Sequence, residues 1–238
     1  PDLPLNGPIG AGVSIDQKNP DRYVVIVSHA GLGLPEREYY LRDDEQFRQI
    51  RSQYRDHIAR LLQLGGIERG RSAQSTADRI VALETEIAKR HWPIAQRRER
   101  DQTYNLRTRT ELIALLDGYP VEASLEAAGF GNVAEFIVRE LSAMQPLAQL
   151  FAATPVNVWR EYLSYHYLRS TAPVLPPALD EEVFEFYGRT LNGQPEQRPR
   201  WKRAVDAVNG TLGEAVGQVY VQRHFPPESK RQMLELVE

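Results

Sequence analysis

The spacing of apolar residues changes once along this chain, and that change constrains the fold more than any other feature. Through most of the chain these residues recur every three or four positions, as Phe47, Ile50 and Tyr54 do. This spacing places them on one face of an α-helix. The earlier run Tyr23 to Val27 is instead rich in β-branched residues, which is typical of a strand. The pattern predicts a mainly α fold, a multi-helix domain with a short N-terminal β-hairpin at residues 7–29.

Capping and turn residues divide the helical part into segments. Asp43 or Asp44 can cap the first long helix, and Gly65 with Gly66 ends it. We expect helices at about residues 43–64, 74–91, 112–117, 122–128, 132–151, from 155, from 180, 200–222 and from 227. The exposed side of the helix at 74–91 is predicted to be charged. Prolines 173, 176 and 177 are expected to form a rigid linker.

Individual residues sharpen these expectations. Pro146 falls inside the 132–151 pattern and predicts a kink or break just before it. Thr154 is expected to cap the next helix, with Pro155 at its first position. Gly213 and Gly217 lie on neighbouring turns of the helix at 200–222. Glycine is costly there, so we expect another helix backbone to approach closely.

The residues that carry chemistry form no complete motif. The chain has five histidines, none within twenty residues of another, so the His-Glu-x-x-His pattern of zinc peptidases is absent. His57 and His166 lie in predicted helices, and we interpret them as partly buried or interfacial. No cysteine is present, which excludes a thiol nucleophile, disulfides and thiolate metal sites. The sequence predicts no catalytic and no metal-binding residue, and it leaves the substrate-binding residues unknown.

Charge and hydropathy indicate neither a nucleic-acid nor a membrane partner. The formal net charge is −3, and no apolar run approaches the length that spans a bilayer. Two arginine clusters occur, at residues 97–100 and 198–203. Each is short, and the first contains Glu99, so we interpret both as solvated or salt-bridged faces. The acid runs at 43–44 and 180–182 stand at predicted helix starts, where capping explains them.

Several segments together resemble a known family. The stretch from Gly31 to Leu41, GLGLPEREYYL, is similar to the Gly-Leu-Pro-x-Arg-x-Tyr-Tyr segment of the neprilysin family, which includes endothelin-converting enzymes and bacterial PepO-type oligopeptidases. Further matches follow in the family's order: residues 83–88, 100–101, 104–105, 159–163, 184–187, 191–193, 199–203, 208–210, 212–217, 220–221, 225 and 228–230. They extend from residue 31 to residue 230, and residues 117–150 diverge most.

The resemblance implies a helical lobe of a zinc metallopeptidase. In that family, a C-terminal thermolysin-like domain holds the zinc, and an N-terminal helical domain closes over the active site and admits only short peptides. Residues 1–238 are expected to be part of that N-terminal, chamber-forming domain, with the catalytic zinc domain absent. The parent protein is then a zinc-dependent endopeptidase, whose partners are its own catalytic domain and short peptide substrates. This chain alone is predicted to be inactive and to bind no zinc.

Two other interpretations stay open at this point. The chain could be a stand-alone helical module that binds proteins or peptides without catalytic activity, or a nucleic-acid binder that uses the arginine clusters. The final predicted helix reaches Glu238 without a capping signal, which favours an artificial or proteolytic cut there. By family resemblance and the absence of cysteine, a bacterial extracytoplasmic protein, periplasmic or secreted, is expected.

Overall fold

The structure is a computed structural model that describes residues 7–67 and 72–236. The chain divides into two units, residues 1–192 and residues 193–238. Unit 1 is mainly helical with one small sheet, and it contains the hydrophobic core. The predicted fold class, a multi-helix domain with an N-terminal β-hairpin, is therefore confirmed. Within the described ranges, no helix combines the length and the apolar character that crossing a bilayer requires.

A four-stranded sheet contains the predicted hairpin. Its strands are β1 (Ile9–Asp16), β2 (Asn19–His29), β3 (Asn105–Thr108) and β4 (Glu135–Val138). The spatial order is β1-β2-β4-β3. β1 and β2 pair antiparallel with Val13 opposite Val25, and β2 pairs parallel with β4, where Val27 lies opposite Val138. The hairpin is thus extended by two strands that come much later in the chain.

The segment from residue 132 to 151 differs from its prediction. It is not one helix, because its first part forms β4. Phe136, Ile137 and Val138 are all buried, with no alternation between an inner and an outer face. Periodicity cannot distinguish such a fully buried strand from a buried helix. Its pairing with β2 decides the conformation.

Eleven numbered α-helices occur in the described ranges. In unit 1 they are α1 (Glu38–Leu41), α2 (Glu45–Leu64), α3 (Ala73–Arg90), α4 (Ile94–Arg97), α5 (Arg109–Leu115), α6 (Val121–Ala127), α7 (Leu141–Ala153), α8 (Val156–Thr171) and α9 (Pro177–Val183). Asp44 is the cap of α2, since its side chain accepts a hydrogen bond from the Phe47 N–H at 3.5 Å. α2 and α3 pack on each other, and Ile58 of α2 and Ile80 of α3 are both fully buried in the core.

One prediction about a helix end is wrong, and another is wrong in part. The break considered before Pro146 is absent, because α7 runs through this residue. Pro146 lies in the second turn, where its ring removes only one intrahelical bond, and its carbonyl accepts a hydrogen bond from Arg90 Nε at 3.2 Å. Thr154 does not cap α8. Its hydroxyl donates back to the Leu150 carbonyl at 2.7 Å, so it completes the end of α7.

The proline-rich segment after α8 is also more helical than predicted. Residues Ala172–Val174 form a 3₁₀ turn, and α9 begins at Pro177, three residues before the acids at 180–182. Proline suits a first helical position because its missing N–H has no intrahelical partner there. α9 continues into a π-helix at Phe184–Leu191, which the sequence pattern did not predict.

Unit 2 consists of α10 (Arg200–His224) and α11 (Pro227–Glu235). In the part of this unit that the structure describes, no residue is buried. The backbone of Leu212 is non-helical, with φ −123° and ψ 24°, so α10 is kinked. A Cβ atom added at Gly213 or Gly217 would meet nothing within 4 Å. No helix of the described residues makes the predicted close approach at these glycines.

Candidate functional site

Metal ligands do not converge in the described residues. No three His, Asp or Glu side chains of residues 7–67 and 72–236 lie close enough together to hold an ion. His29 and His91 do meet, but as stacked rings with centroids 3.7 Å apart. These residues therefore do not fit a zinc ion. That the zinc ligands belong to another part of a longer chain stays a prediction.

The most specific structural feature is a glycine loop, residues 30–35, which joins β2 to the segment before α1. Tyrosine hydroxyls bond its backbone on both sides. Two hydroxyls donate to loop carbonyls: Tyr162 Oη to Gly31 at 2.8 Å and Tyr187 Oη to Gly33 at 3.0 Å. The hydroxyl of Tyr40 instead accepts hydrogen bonds from the backbone N–H groups of Gly33 at 3.1 Å and Leu34 at 2.8 Å. Buried backbone groups need such partners. The loop is consequently fixed by four helical elements, α1, α3, α8 and the π-helix, directly or through the carboxyl described next.

A fully buried carboxyl group lies beneath the glycine loop. Glu84 of α3 accepts hydrogen bonds from Tyr40 Oη at 2.6 Å and Tyr54 Oη at 2.9 Å, and it bonds His166 Nε2 at 2.8 Å. Burial, and then the Glu84 carboxyl, hold the pKa of Tyr40 and of Tyr54 well above the ordinary value. Glu84 is 0% exposed, so α3 carries a charged residue on its buried side, where none was predicted.

The two loop glycines are required by their surroundings. Gly31 has φ +90°, a conformation that side chains disfavour. A Cβ atom at Gly33 would lie 1.7 Å from Tyr54 Oη. The two glycines of the GLGLPEREYYL stretch therefore allow the backbone to pass close to the Tyr162 and Tyr54 hydroxyls. Tyr40, which belongs to the same stretch, bonds the loop backbone through its own hydroxyl.

A pocket of about 190 Å³ opens beside the loop. We call it the His29 pocket; it is lined by loop residues together with His29, Arg37, His91, Trp92 and Arg97. Behind His29 lies Glu140, the residue that follows β4 by two positions and is fully buried. Its carboxylate accepts hydrogen bonds from Ser28 Oγ at 2.7 Å, the His29 N–H at 3.2 Å and Arg97 Nε at 3.2 Å.

The two stacked histidines are neutral at pH 7. Burial, and then the positive charge of Arg97, lowers the pKa of His29 to about 4. Burial, and then the neighbouring His29, lowers the pKa of His91 to about 3. His91 Nε2 bonds the Ala30 carbonyl at 3.1 Å, which ties the ring to the loop. The pocket wall thus holds two uncharged imidazoles among guanidinium groups.

The helical histidines of the sequence analysis are both buried and paired with carboxyl groups. His166 bonds Glu84, as described, and His57 Nδ1 lies 2.9 Å from Glu182 Oε1 of α9. Burial lowers the pKa of His57, although Glu182 opposes this shift. The prediction that the acid run at 180–182 caps a helix start is wrong, because α9 begins at Pro177 without a side-chain cap. Glu182 instead joins α9 to α2.

The arginine clusters are partly salt-bridged, as predicted. Arg97 bonds the buried Glu140, and Arg198 pairs with Asp206 at 2.6 Å on the surface of unit 2. The burial of Glu84 and Glu140 and the presence of the His29 pocket were not predicted from the sequence. A signal existed for Glu84, since it lies four residues after Ile80 and three before Ile87 on the buried face of α3. Nothing in the sequence separates Glu140 from an exposed glutamate.

Comparison with known proteins gives concordant matches. The model of peptidase family M13 matches residues 3–238. Endothelin-converting enzyme-like 1 of Mus musculus is 27% identical over 233 residues, which are 95% of this chain and 29% of that protein. The chain thus spans about three tenths of the curated relatives that it matches.

Solved structures agree with the sequence matches. The zinc metalloprotease ZMP1 of Mycobacterium tuberculosis, in its open state, superposes with a TM-score of 0.89 at 41% identity, over 98% of this chain and 36% of that one. PepO from Lactobacillus rhamnosis has a TM-score of 0.75 at 18% identity, over 99% of this chain and 37% of that one. The second likeness concerns the fold alone.

Proposed function

The chain belongs to peptidase family M13, and from that premise we propose that it is the non-catalytic helical lobe of a zinc-dependent endopeptidase or oligopeptidase. The lobe encloses the active site of the longer protein and limits its substrates to short peptides. The observation that carries this proposal is the match to a zinc metalloprotease, which spans nearly all of this chain but about a third of the other.

The internal structure of unit 1 suits a steric role. The glycine loop, α1, α3, α8 and the π-helix are held together by buried hydrogen bonds, which favour one rigid arrangement. A rigid wall can exclude large substrates and water from a reaction centre without contributing an ionisable group to the chemistry.

In this proposal, zinc is bound by the longer protein and not by the residues of this chain. The described residues do not fit the ion, so its ligands would be supplied by a catalytic domain that follows in the same polypeptide. When bound, zinc in such a domain activates a water molecule for attack on a peptide bond. The residues of this chain would surround the substrate, and none of them is assigned a catalytic role.

Reading the parent gene past Glu238 tests the proposal most directly. A His-Glu-x-x-His motif about a hundred or more residues downstream is expected. Without such a motif the proposal fails. The stand-alone binding module would then be the better interpretation.

A cleavage assay tests the size limit. The full-length protein should cleave a short peptide, lose that activity with a chelator, and leave the same sequence intact when it is presented within a folded protein. The 238-residue chain should cleave neither substrate. Equal cleavage of the peptide and the folded substrate would contradict an enclosing role.

The location of the protein is part of the same proposal. Relatives of the neprilysin type support a bacterial extracytoplasmic placement, and a cysteine-free chain is compatible with an oxidising compartment. Fractionation of the source organism checks this, with recovery of the protein in the cytoplasmic fraction as the contrary result.

A further inference from the structure

The wall of the His29 pocket carries two buried polar atoms that form no hydrogen bond within the described chain. Arg37 Nε and His29 Nε2 are both buried without a hydrogen-bond partner. The nearest carboxylates are too distant, since Glu38 Oε1 lies 3.8 Å from Arg37 Nε, and Glu140 Oε1 lies 3.9 Å from His29 Nε2. The His29 side chain is only 3% exposed. Leaving a buried donor unpaired costs about 1–3 kcal/mol, so these atoms favour a ligand.

The chemistry of these atoms selects an anionic acceptor. A guanidinium Nε–H can only donate, and it carries positive charge. Arg97 lines the same pocket. Arg97, Arg139 and Arg37 all act to lower the pKa of His29, so three positive charges act on its ring, beside the one buried carboxylate of Glu140. The acidic side chain among the lining residues, Glu36, is partly exposed to solvent.

Four apolar side chains complete the lining beside His91. Leu32, Leu34, Trp92 and Ile94 contribute to the walls. Their surface favours an aliphatic group next to the anion. The volume of about 190 Å³ admits a group the size of one amino acid and excludes a folded segment. Phosphate would leave these walls without a contact, and therefore fits less well than an aliphatic acid.

We propose that the His29 pocket binds an apolar carboxylate, with its oxygens on Arg37 Nε and His29 Nε2 and its aliphatic part against Trp92 and Ile94. His29 donates to the ligand as the neutral tautomer with hydrogen on Nε2. The site belongs entirely to unit 1. It is therefore independent of the proposed peptidase activity, and either proposal can fail without the other.

Trp92 provides a direct readout. Its indole N–H donates to Ser142 Oγ at 2.8 Å beside the pocket, and the chain has two other tryptophans, Trp159 and Trp201. The ¹⁵N-labelled 238-residue chain is titrated with N-acetyl-leucine and, separately, with the uncharged N-acetyl-leucinamide. The Trp92 indole signal, assigned with a Trp92→Phe variant, should shift and saturate with the acid, whereas the other two indole signals stay in place.

Matched arginine variants test the contact. Arg37→Gln removes the charge and its buried Nε, and should weaken binding about tenfold or more, as expected for a lost charge-assisted hydrogen bond. Arg55→Gln removes one charge from α2 outside the pocket, where Arg55 pairs with Asp56 and Asp78 on the surface, and should leave affinity unchanged. His29→Gln, which retains a donor, should bind more tightly than His29→Phe.

A peptide series distinguishes the sources of the carboxylate. Ala-Ala-Ala-Leu with a free C-terminus is compared with its C-terminal amide. Binding of the free peptide supports the proposal and identifies a peptide C-terminus as the source. Binding of N-acetyl-leucine alone supports it with a free small acid as the source. The proposal is overturned if neither acid shifts the Trp92 signal saturably, if the amide binds equally well, or if Arg37→Gln binds like Arg55→Gln.

Discussion

At the scale of single residues, buried carboxyl groups organise the unit that contains the core. Glu84 forms hydrogen bonds with two tyrosine hydroxyls and a histidine ring. Glu140 accepts hydrogen bonds from a serine hydroxyl, a backbone N–H and a guanidinium group. Both are 0% exposed. Because each carboxyl has several partners on different elements, removing one affects more than a single contact.

We expect Glu84→Gln to destabilise the chain by about 1–3 kcal/mol. The substitution replaces one carboxyl oxygen, which accepts hydrogen bonds, with an amide NH₂ group, which donates them. The neighbouring tyrosine hydroxyls already donate to this position, so a donor there would leave buried groups unpaired. The matched control is Glu86→Gln on the same helix. Glu86 pairs with Lys89 and Arg90 at the surface, where ion pairs contribute about 0–1 kcal/mol. Urea unfolding measures both variants. Equal unfolding free energies would contradict the structural role of Glu84.

The stacked histidines predict a pH dependence of stability. The pKa of His29 is lowered to about 4 and that of His91 to about 3, so the unfolded chain binds protons at these sites before the folded chain does. Their contribution to stability is complete above the unfolded pKa, near 6.5, and is lost as the pH falls from there toward 4.

Urea unfolding between pH 4 and 6 tests this dependence. His91→Gln should reduce the slope of unfolding free energy against pH by up to about 1.4 kcal/mol per pH unit, the value for one proton. The control, His224→Gln, changes an exposed histidine of α10 and should leave the slope as it is. The same slope in both variants would show that His91 does not bind its proton preferentially in the unfolded state.

Some of these single-residue roles could be predicted from the sequence and others could not, for physical reasons. It identified Asp44 as one of two possible caps, because capping depends on neighbours in sequence. It did not identify Glu84 or Glu140 as buried, because a carboxyl is stabilised inside a protein by partners from distant segments. Tyr54 and His166, for example, lie 30 residues before and 82 residues after Glu84.

At the scale of elements, the glycine loop is the segment with the tightest steric constraint. Gly33→Ala would place a methyl group 1.7 Å from Tyr54 Oη, a buried atom that cannot move freely. We expect a loss of about 1–3 kcal/mol or more, as for other overpacked interiors. Gly12→Ala in β1 is the control, since nothing lies within 4 Å of its added Cβ. Urea unfolding would refute the constraint if Gly33→Ala were as stable as Gly12→Ala.

Most elements could be predicted from the sequence, and the exceptions share one cause. α2, α3 and the hairpin follow from local periodicity and turn residues. β4 does not, because its conformation is decided by pairing with β2, more than a hundred residues earlier. The π-helix after α9 likewise has no local signal. Its Phe186 packs against His57 of α2, with ring centroids 4.9 Å apart.

At the scale of the whole molecule, the two units differ in how they are stabilised. The core cluster lies in unit 1, whereas the described residues of unit 2 include no buried side chain. Large apolar side chains of α10 and α11 are instead exposed, among them Trp201, Leu212, Val219 and Met233. Stability of the chain is therefore expected to come from unit 1.

A chain that ends after Asn192 tests this expectation. It should unfold cooperatively in urea with a free energy within about 0.5 kcal/mol of that of the 238-residue chain. It should also bind less of the dye ANS, because the exposed apolar residues of unit 2 are gone. Loss of cooperative unfolding on truncation would show that unit 2 contributes to the stability of unit 1.

The register of the sheet also sets an order of events during synthesis. Val27 of β2 lies beside Val138 of β4, and the 110 residues between them are made before that pair can form. At a ribosomal rate of about 5–20 residues per second, β4 is synthesised roughly 5 to 20 seconds after β2. During that interval the hairpin presents a β-branched edge to the crowded cell. While α2 and α3 emerge, this unpaired edge is a place where the nascent chain can pair with another chain and aggregate.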